Sequence, residues 1–326
     1  MRIRWIAAAA AVVLTAGCSG ADGGGASDQE PSGADGGHYL SLGDSLAVGV
    51  QPDGNGMPGE TEQGYTDILY RTLLEEDPGL EHERMGCAGE DTTTFLEGGL
   101  PRCEERYDDG EQLQAAEDFL ADHEGEVDLV TLTIGANNFT RCVRGVNAPD
   151  GRADGSEDID IDAECVADGL ERLEEDVPEI AERLRTAAGP DTQIVAMTYY
   201  NPFLAFFLLD DDPAGQASAS AEEAEEVFPE QEARGGLAEE AVEILTEVNG
   251  TLTDAYEAQG IDVADVDSVF QATNQEVPEG SETGMPANLQ NVCDLTWMCD
   301  AERGPDIHPN EEGAREIASV FAEEVR

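Results

Sequence analysis

The chain has 326 residues, 40% of them hydrophobic, which is enough for one α/β unit with insertions and a sizeable buried core. Its 16 basic residues, every one an arginine, stand against 73 acidic ones for a formal net charge of -57; the acid is spread along the whole chain and reads as a solvated surface of the kind found in proteins from salty habitats. That balance excludes nucleic acid as a partner, because like charges repel and no basic stripe exists to displace counterions.

The chain begins with Arg2 and Arg4, followed by an apolar stretch from Ile6 to Leu14 that is too short to span a bilayer. Leu14-Thr15-Ala16-Gly17-Cys18 comes next and resembles a bacterial lipobox, with Thr15 where an aliphatic residue is more usual. The resemblance implies cleavage before Cys18 and a diacylglycerol thioether on its sulfur. Ser19 to Gly37 is rich in Gly, Ser, Ala and Asp, has no large apolar side chain and reads as a flexible tether. The expected organisation is a signal peptide over 1–17, a lipidated Cys18 and linker over 18–37, and one domain over 38–326. The expected protein is an exported monomer, held at the outer face of the cytoplasmic membrane by Cys18 or secreted.

Tyr39-Leu40-Ser41-Leu42, stopped by Gly43, reads as the first strand. A helix is expected over 63–76, with Tyr65, Ile68, Leu69 and Leu73 on one face and Pro78-Gly79 as its stop. A weak strand follows over 80–85, then a helix over 111–123. Val127 to Ile134 is the clearest buried strand. A long helix over 165–188 has to tolerate Pro178. Residues 192–198 give another strand, 237–259 a helix, 261–264 a last strand and 310–324 the closing helix. Strands alternating with helices imply a parallel sheet covered on both faces, with the ligand site at the carboxyl ends of the strands. Irregular stretches are expected over 141–163, 199–235 and 267–306.

Seven cysteines are present. Without Cys18 the remaining six form three local couples, and an even number in an exported chain suggests disulfides. Nearest-neighbour pairing gives Cys87–Cys103, Cys142–Cys165 and Cys293–Cys299. No CxxC or Cys/His cluster appears, so no metal site is expected.

Four loops carry chemistry. Gly43-Asp44-Ser45-Leu46 follows the first strand, Gly86-Cys87-Ala88-Gly89 the second and Gly135-Ala136-Asn137-Asn138 the third; Asp306-Ile307-His308-Pro309 opens the last helix. Acyl transfer needs such a set. A Ser hydroxyl needs a base, and His suits that task near neutrality. The tetrahedral intermediate needs preorganised donors, here the Ser45 N–H, the Gly89 N–H and the Asn137 amide. Asp44 reads as a support of the Ser45 loop and Ser45 as a helix N-cap as well. His38, His82 and His123 lack a motif and read as surface or capping residues.

These four segments, in order, resemble the blocks of SGNH/GDSL hydrolases over residues 38–326. The resemblance implies a flavodoxin-like three-layer α/β/α fold and carboxyl-ester hydrolysis through an acyl-enzyme, without a cofactor. The family usually has Asp three positions before the His. Here that position is Pro305, and the acid is Asp306. Either Asp306 or a nearby backbone carbonyl is left to orient His308. The apolar run from Tyr199 to Leu209 reads as an acyl-chain pocket or as a short core helix, with Leu295, Trp297 and Met298 as further walls. The expected substrate is a fatty-acyl ester. The alternatives are a carbohydrate O-acetylesterase on the same site and a non-catalytic lipid- or glycan-binding lipoprotein.

Overall fold

Every residue from Tyr39 to Gly43 is buried in the first strand, β1 (His38–Gly43). A strand covered on both faces is apolar at most positions, which is why this run does not alternate; its buried Ser41 is accommodated by a hydrogen bond to His82. In the computed structural model, which describes residues 36–107, 110–144, 146–147, 152–153, 160–201, 203–205 and 232–326, β1 pairs in parallel with β2 (Glu81–Arg84) and β3 (Val127–Thr133). Beyond β3 lie β4 (Gln193–Met197) and β5 (Asp262–Ala264), also parallel. The strand order is β2-β1-β3-β4-β5, the flavodoxin-like doubly wound arrangement. The expected signal peptide, Cys18, nearly all of the linker and the stretch Phe206 to Leu209 lie outside the described residues.

Parallel neighbours need crossovers, and helices supply them. Among the described residues the α-helices include α1 (Tyr65–Leu73), α2 (Thr92–Glu97), α3 (Pro101–Glu104), α4 (Gln112–Asp122), α5 (Ala163–Ala188), α6 (Glu232–Ala258), α7 (Val266–Phe270), α8 (Ala287–Leu295) and α9 (Glu311–Glu324). α9 packs on α1 and α8, whereas α5 packs on α2, α4 and α6. Right-handed crossovers running to opposite sides of β1 put these two groups on opposite faces. Among the described residues no helix is long and apolar enough to cross a membrane.

Helix α5 shows how packing overrides a local penalty. Asp162 caps it by accepting from the Glu164 and Cys165 N–H groups, and Gly189 at φ +73° ends it. Val166, Leu173, Val177, Ile180 and Leu184 recur at helical spacing and are buried. Each such side chain contributes about 1.5–3 kcal/mol, so together they exceed the roughly 3 kcal/mol that Pro178 costs inside the helix. At the sheet edge, β2 exposes Glu81 and Glu83. Charge there discourages pairing with another chain and also weakens the apolar signal in the sequence.

The disulfides are Cys87–Cys103, Cys142–Cys165 and Cys293–Cys299. The second ties the segment after β3 to the first turn of α5.

Candidate active site

The chain leaves β1 through α1 to β2 on one side and then returns across β1 to β3 on the other. The crevice between the carboxyl ends of β1 and β3 is therefore the switch point where ligands sit in such sheets. Ser45 follows β1 and Asn137 follows β3.

The Ser45 turn is held from several directions. Gly43 has φ +121°, and a Cβ there would lie 1.9 Å from the Thr133 carbonyl oxygen, so only glycine fits. The buried Gln112 grips the same residue: the Gly43 N–H donates to its Oε1 at 2.6 Å, and its Nε2 donates to the Gly43 carbonyl at 3.0 Å. Asp44 is buried beside the serine. Its Oδ1 accepts from the Leu46 N–H at 2.9 Å and the Thr133 hydroxyl at 3.0 Å, and its Oδ2 from the Tyr199 hydroxyl at 2.8 Å. Burial pushes Asp44 up to about 6, against the pull of those donors. Ser45 is half-buried and does not cap a helix, contrary to the sequence expectation. Residues 45–49 form turns, and Asp44 takes the Leu46 N–H in the short side-chain turn that aspartate favours.

Asp306 Oδ1 lies 2.7 Å from His308 Nδ1 and also accepts the His308 backbone N–H at 2.9 Å. A carboxylate only accepts, so Nδ1 carries the proton and the Nε2 lone pair is left to receive one. The sequence left open whether Asp306 or a backbone carbonyl meets Nδ1; the geometry puts the Asp306 carboxylate there. The segment carrying both residues rests on a ledge. Thr296 and Pro309 form an antiparallel bridge, and the Trp297 N–H donates to the His308 carbonyl at 3.0 Å. Asn310 caps α9 by accepting from the Glu312 and Gly313 N–H groups and donates to the Asp294 and Thr296 carbonyls. From the other side the Tyr200 hydroxyl donates to the Ile307 carbonyl at 2.8 Å. Leu295, Trp297 and Met298 thus belong to the ledge or its packing and do not line the cavity, which corrects their expected place as pocket walls.

Asn137 Nδ2 donates to the Glu90 carbonyl at 2.8 Å, which orients the amide and leaves its second hydrogen for a ligand. Gly89, at φ +92°, immediately precedes Glu90. Burial pushes the Glu90 carboxyl up to about 7.

Ser45, Asn137 and His308 line one cavity of about 130 Å³. Gly89 does not line it; the bond from Asn137 to the Glu90 carbonyl ties its loop to the rim. The rest of the lining is mainly apolar and includes Phe139 after β3, Val166 on α5, and Ala241, Ile244 and Val248 on α6. From the expected pocket run, Tyr199, Tyr200 and Phe203 reach the cavity, while Leu204 and Ala205 are buried. Cys142, in the disulfide to α5, is also in the wall. Among the described residues Cys87, Glu90 and Cys103 form the only cluster compact enough for a metal ion, but both sulfurs are tied in a disulfide and offer no thiolate.

Sequence reasoning missed Gln112, Tyr199, Tyr200 and Asn249 as supports of this site. Asn249 pins Tyr199 through its N–H and carbonyl, both at 2.8 Å. None of the four belongs to a motif, and the one available signal was two tyrosines directly after a strand. Of the remaining histidines, His123 is the C-cap of α4. His82 is no surface residue: it stacks on Tyr39 with ring centroids 4.3 Å apart and meets the Ser41 hydroxyl at 2.9 Å.

Comparison with known proteins places this arrangement. Among solved structures the fold is similar to an extracellular lipase from Streptomyces rimosus, at 15% identity over 88% of this chain and 99% of that one, with a TM-score of 0.49. An aryl esterase from M. smegmatis is 15% identical over 89% of this chain and 98% of that one, with a TM-score of 0.43. A carbohydrate acetylesterase from Sinorhizobium meliloti is 14% identical over 88% of this chain and 97% of that one, with a TM-score of 0.42. No curated protein matches the sequence. The sequence of residues 41–316 matches the GDSL-like Lipase/Acylhydrolase family, a span that holds all four loops of the site and most of the chain; the chain belongs to that family and is a carboxylic ester hydrolase of the SGNH type.

Proposed function

We propose that Ser45 is the nucleophile, His308 its general base and Asp306 the residue that orients the imidazole. In the first step Ser45 Oγ attacks the ester carbonyl carbon as its proton passes to His308 Nε2. The tetrahedral oxyanion sits against the Ser45 N–H and the Asn137 amide, with the loop that carries Gly89 held at the rim by the bond from Asn137 to the Glu90 carbonyl. The intermediate collapses as His308 returns that proton to the leaving alcohol. Water then attacks the acyl-enzyme through the same base, releasing a carboxylic acid and restoring Ser45.

The observation that carries this reading is the shared lining of one apolar cavity by Ser45, Asn137 and His308, with the Asp306 carboxylate on the far side of the ring. The same lining supports a fatty-acyl ester as substrate, because an apolar chain gains from leaving water and an acetyl group has little surface to bury. The lipobox-like run ending at Cys18, three disulfides and the Gly/Ser/Ala/Asp-rich composition of the stretch up to Gly37 support an enzyme exported to the cell envelope and anchored there.

Labelling with a fluorophosphonate followed by peptide mapping tests the site. The expected result is modification of Ser45 alone, abolished in Ser45→Ala. A series of p-nitrophenyl esters tests the substrate. A maximum at acetate with nothing beyond butyrate would turn the reading towards the O-acetylesterase.

A further inference from the structure

Two loops flank the position proposed for the oxyanion: residues 86–91, which carry Gly89, and the turn Gly135–Asn138, which carries Asn137. What fixes their separation lies outside the cavity. Thr92 is fully buried between them, with its N–H donating to Asn138 Oδ1 at 3.0 Å. Asn138 Nδ2 in turn donates to the Thr92 hydroxyl oxygen at 2.9 Å. A hydroxyl has one proton, and of the two acceptors within reach the charged Asp176 Oδ2 at 2.6 Å is much nearer than Asn138 Oδ1 at 3.3 Å, so it takes the proton. Asp176 also accepts from the Thr93 hydroxyl at 3.1 Å.

Arg172 stands one turn earlier on α5. Its guanidinium donates to the Asn138 carbonyl at 3.1 Å and pairs with the Asp91 carboxylate at 3.3 Å. Residues four apart share one helix face, so α5 presents an acceptor and a donor side by side to both loops. Neither Asp176 nor Arg172 lines the cavity.

We infer that Asp176, aided by Arg172, is a positioning residue for the oxyanion site. By taking the Thr92 proton it turns the hydroxyl lone pairs towards Asn138, locking the turn that carries Asn137 against the loop that carries Gly89. The inference rests on the oxyanion role proposed above for Asn137. Oxyanion donors contribute in the transition state, so losing their alignment lowers kcat and leaves KM nearly unchanged.

The test is a kinetic cycle on the full chain with a p-nitrophenyl ester. Asp176→Ala is expected to lower kcat about tenfold or more, with KM within about twofold of the parent. In an Asn137→Ala background the same change is expected to alter kcat by less than about twofold, since the donor it aligns is gone. Asp176→Asn keeps an acceptor oxygen of the same size and is expected to recover most of the lost kcat, which also covers a poorly folding Ala variant. Equal losses in both backgrounds, a rise in KM at unchanged kcat, or an Asn variant as slow as Ala would each overturn the inference while leaving Asn137 in place. Full kcat in Asn137→Ala alone would instead remove the oxyanion assignment, and the inference with it.

Discussion

Asp306 and His308 are joined twice through one atom: Oδ1 of Asp306 accepts both the ring Nδ1 proton and the backbone N–H of His308. Its other oxygen, Oδ2, is buried without a hydrogen-bond partner among the described residues. A buried carboxylate with an unmet oxygen is stabilised when positive charge appears beside it. In the mechanism proposed above, Asp306 then favours the imidazolium that forms as His308 takes a proton. Asp306→Asn retains an acceptor but not the charge, and kcat on a p-nitrophenyl ester is expected to fall by about a thousandfold or more. A rate within a few-fold of the parent would mean that His308 needs no carboxylate.

The shift of the acid by one position marks the limit of what the sequence discloses. The strands β1, β3 and β4 were legible because buried parallel strands are short continuous apolar runs, and α1, α4, α5, α6 and α9 because their apolar residues recur at helical spacing. The short helices α2, α3 and α7 were not, since four to six residues hold too few turns to reveal a period, and α8, with polar Asn288, Gln290, Asn291 and Asp294 among its residues, has no clear apolar stripe. Ser45, Asn137 and His308 were legible as motif residues. Their supports were not: Gln112 and Tyr199 act across 69 and 155 residues of chain, and no local pattern encodes such contacts. The apolar run after β4 was seen, yet its two tyrosines serve through their hydroxyls, Tyr199 on Asp44 and Tyr200 on the Ile307 carbonyl.

Ala241 lies on α6 and is buried in the cavity wall. Ala241→Phe fills space that a long acyl chain would use. The ratio of kcat/KM for p-nitrophenyl octanoate over acetate is expected to fall at least about tenfold, since each methylene kept out of the pocket forfeits about 0.8 kcal/mol. An unchanged ratio would place the acyl chain elsewhere.

The Cys293–Cys299 disulfide closes the ledge on which His308 rests. Replacing both cysteines with serine is expected to lower stability by about 2 kcal/mol, the order expected for so short a loop. It should also lower kcat more than removal of Cys87–Cys103 does, because the Thr296–Pro309 bridge loses its staple. Urea melts and kinetics on the two double variants check this. Equal kcat losses in both would show that the ledge does not need the bond.

A formal charge of -57 on one chain repels itself at every separation within a Debye length. That length is about 10 Å at 0.1 M salt and about 3 Å at 1 M, so molar salt removes most of the repulsion. The melting temperature is expected to rise steadily as sodium chloride increases from about 0.05 to 2 M. A melting temperature independent of salt would show that the acidic residues are too far apart in the folded chain to matter.

Glu90 adds a pH dependence of defined sign. Burial raises its carboxyl from 4.5 to about 7 in the folded protein, with the Asp91 and Asp44 charges adding to the rise and the Thr94 hydroxyl opposing it. Between those values the folded chain holds a proton that the unfolded chain has released. Stability from this group is therefore fully present below about pH 4.5, falls as pH rises and is lost above about 7. A shift of this size corresponds to a loss on the order of 3 kcal/mol. Glu90→Gln keeps an acceptor for Thr94 and has nothing to ionise. Its unfolding free energy is expected to match the parent near pH 4 and to exceed it increasingly up to about pH 8, since a buried carboxylate is then present only in the parent. Urea melts of both proteins across that range give the difference directly. Parallel curves would mean that Glu90 finds solvation in the folded chain that its burial does not suggest.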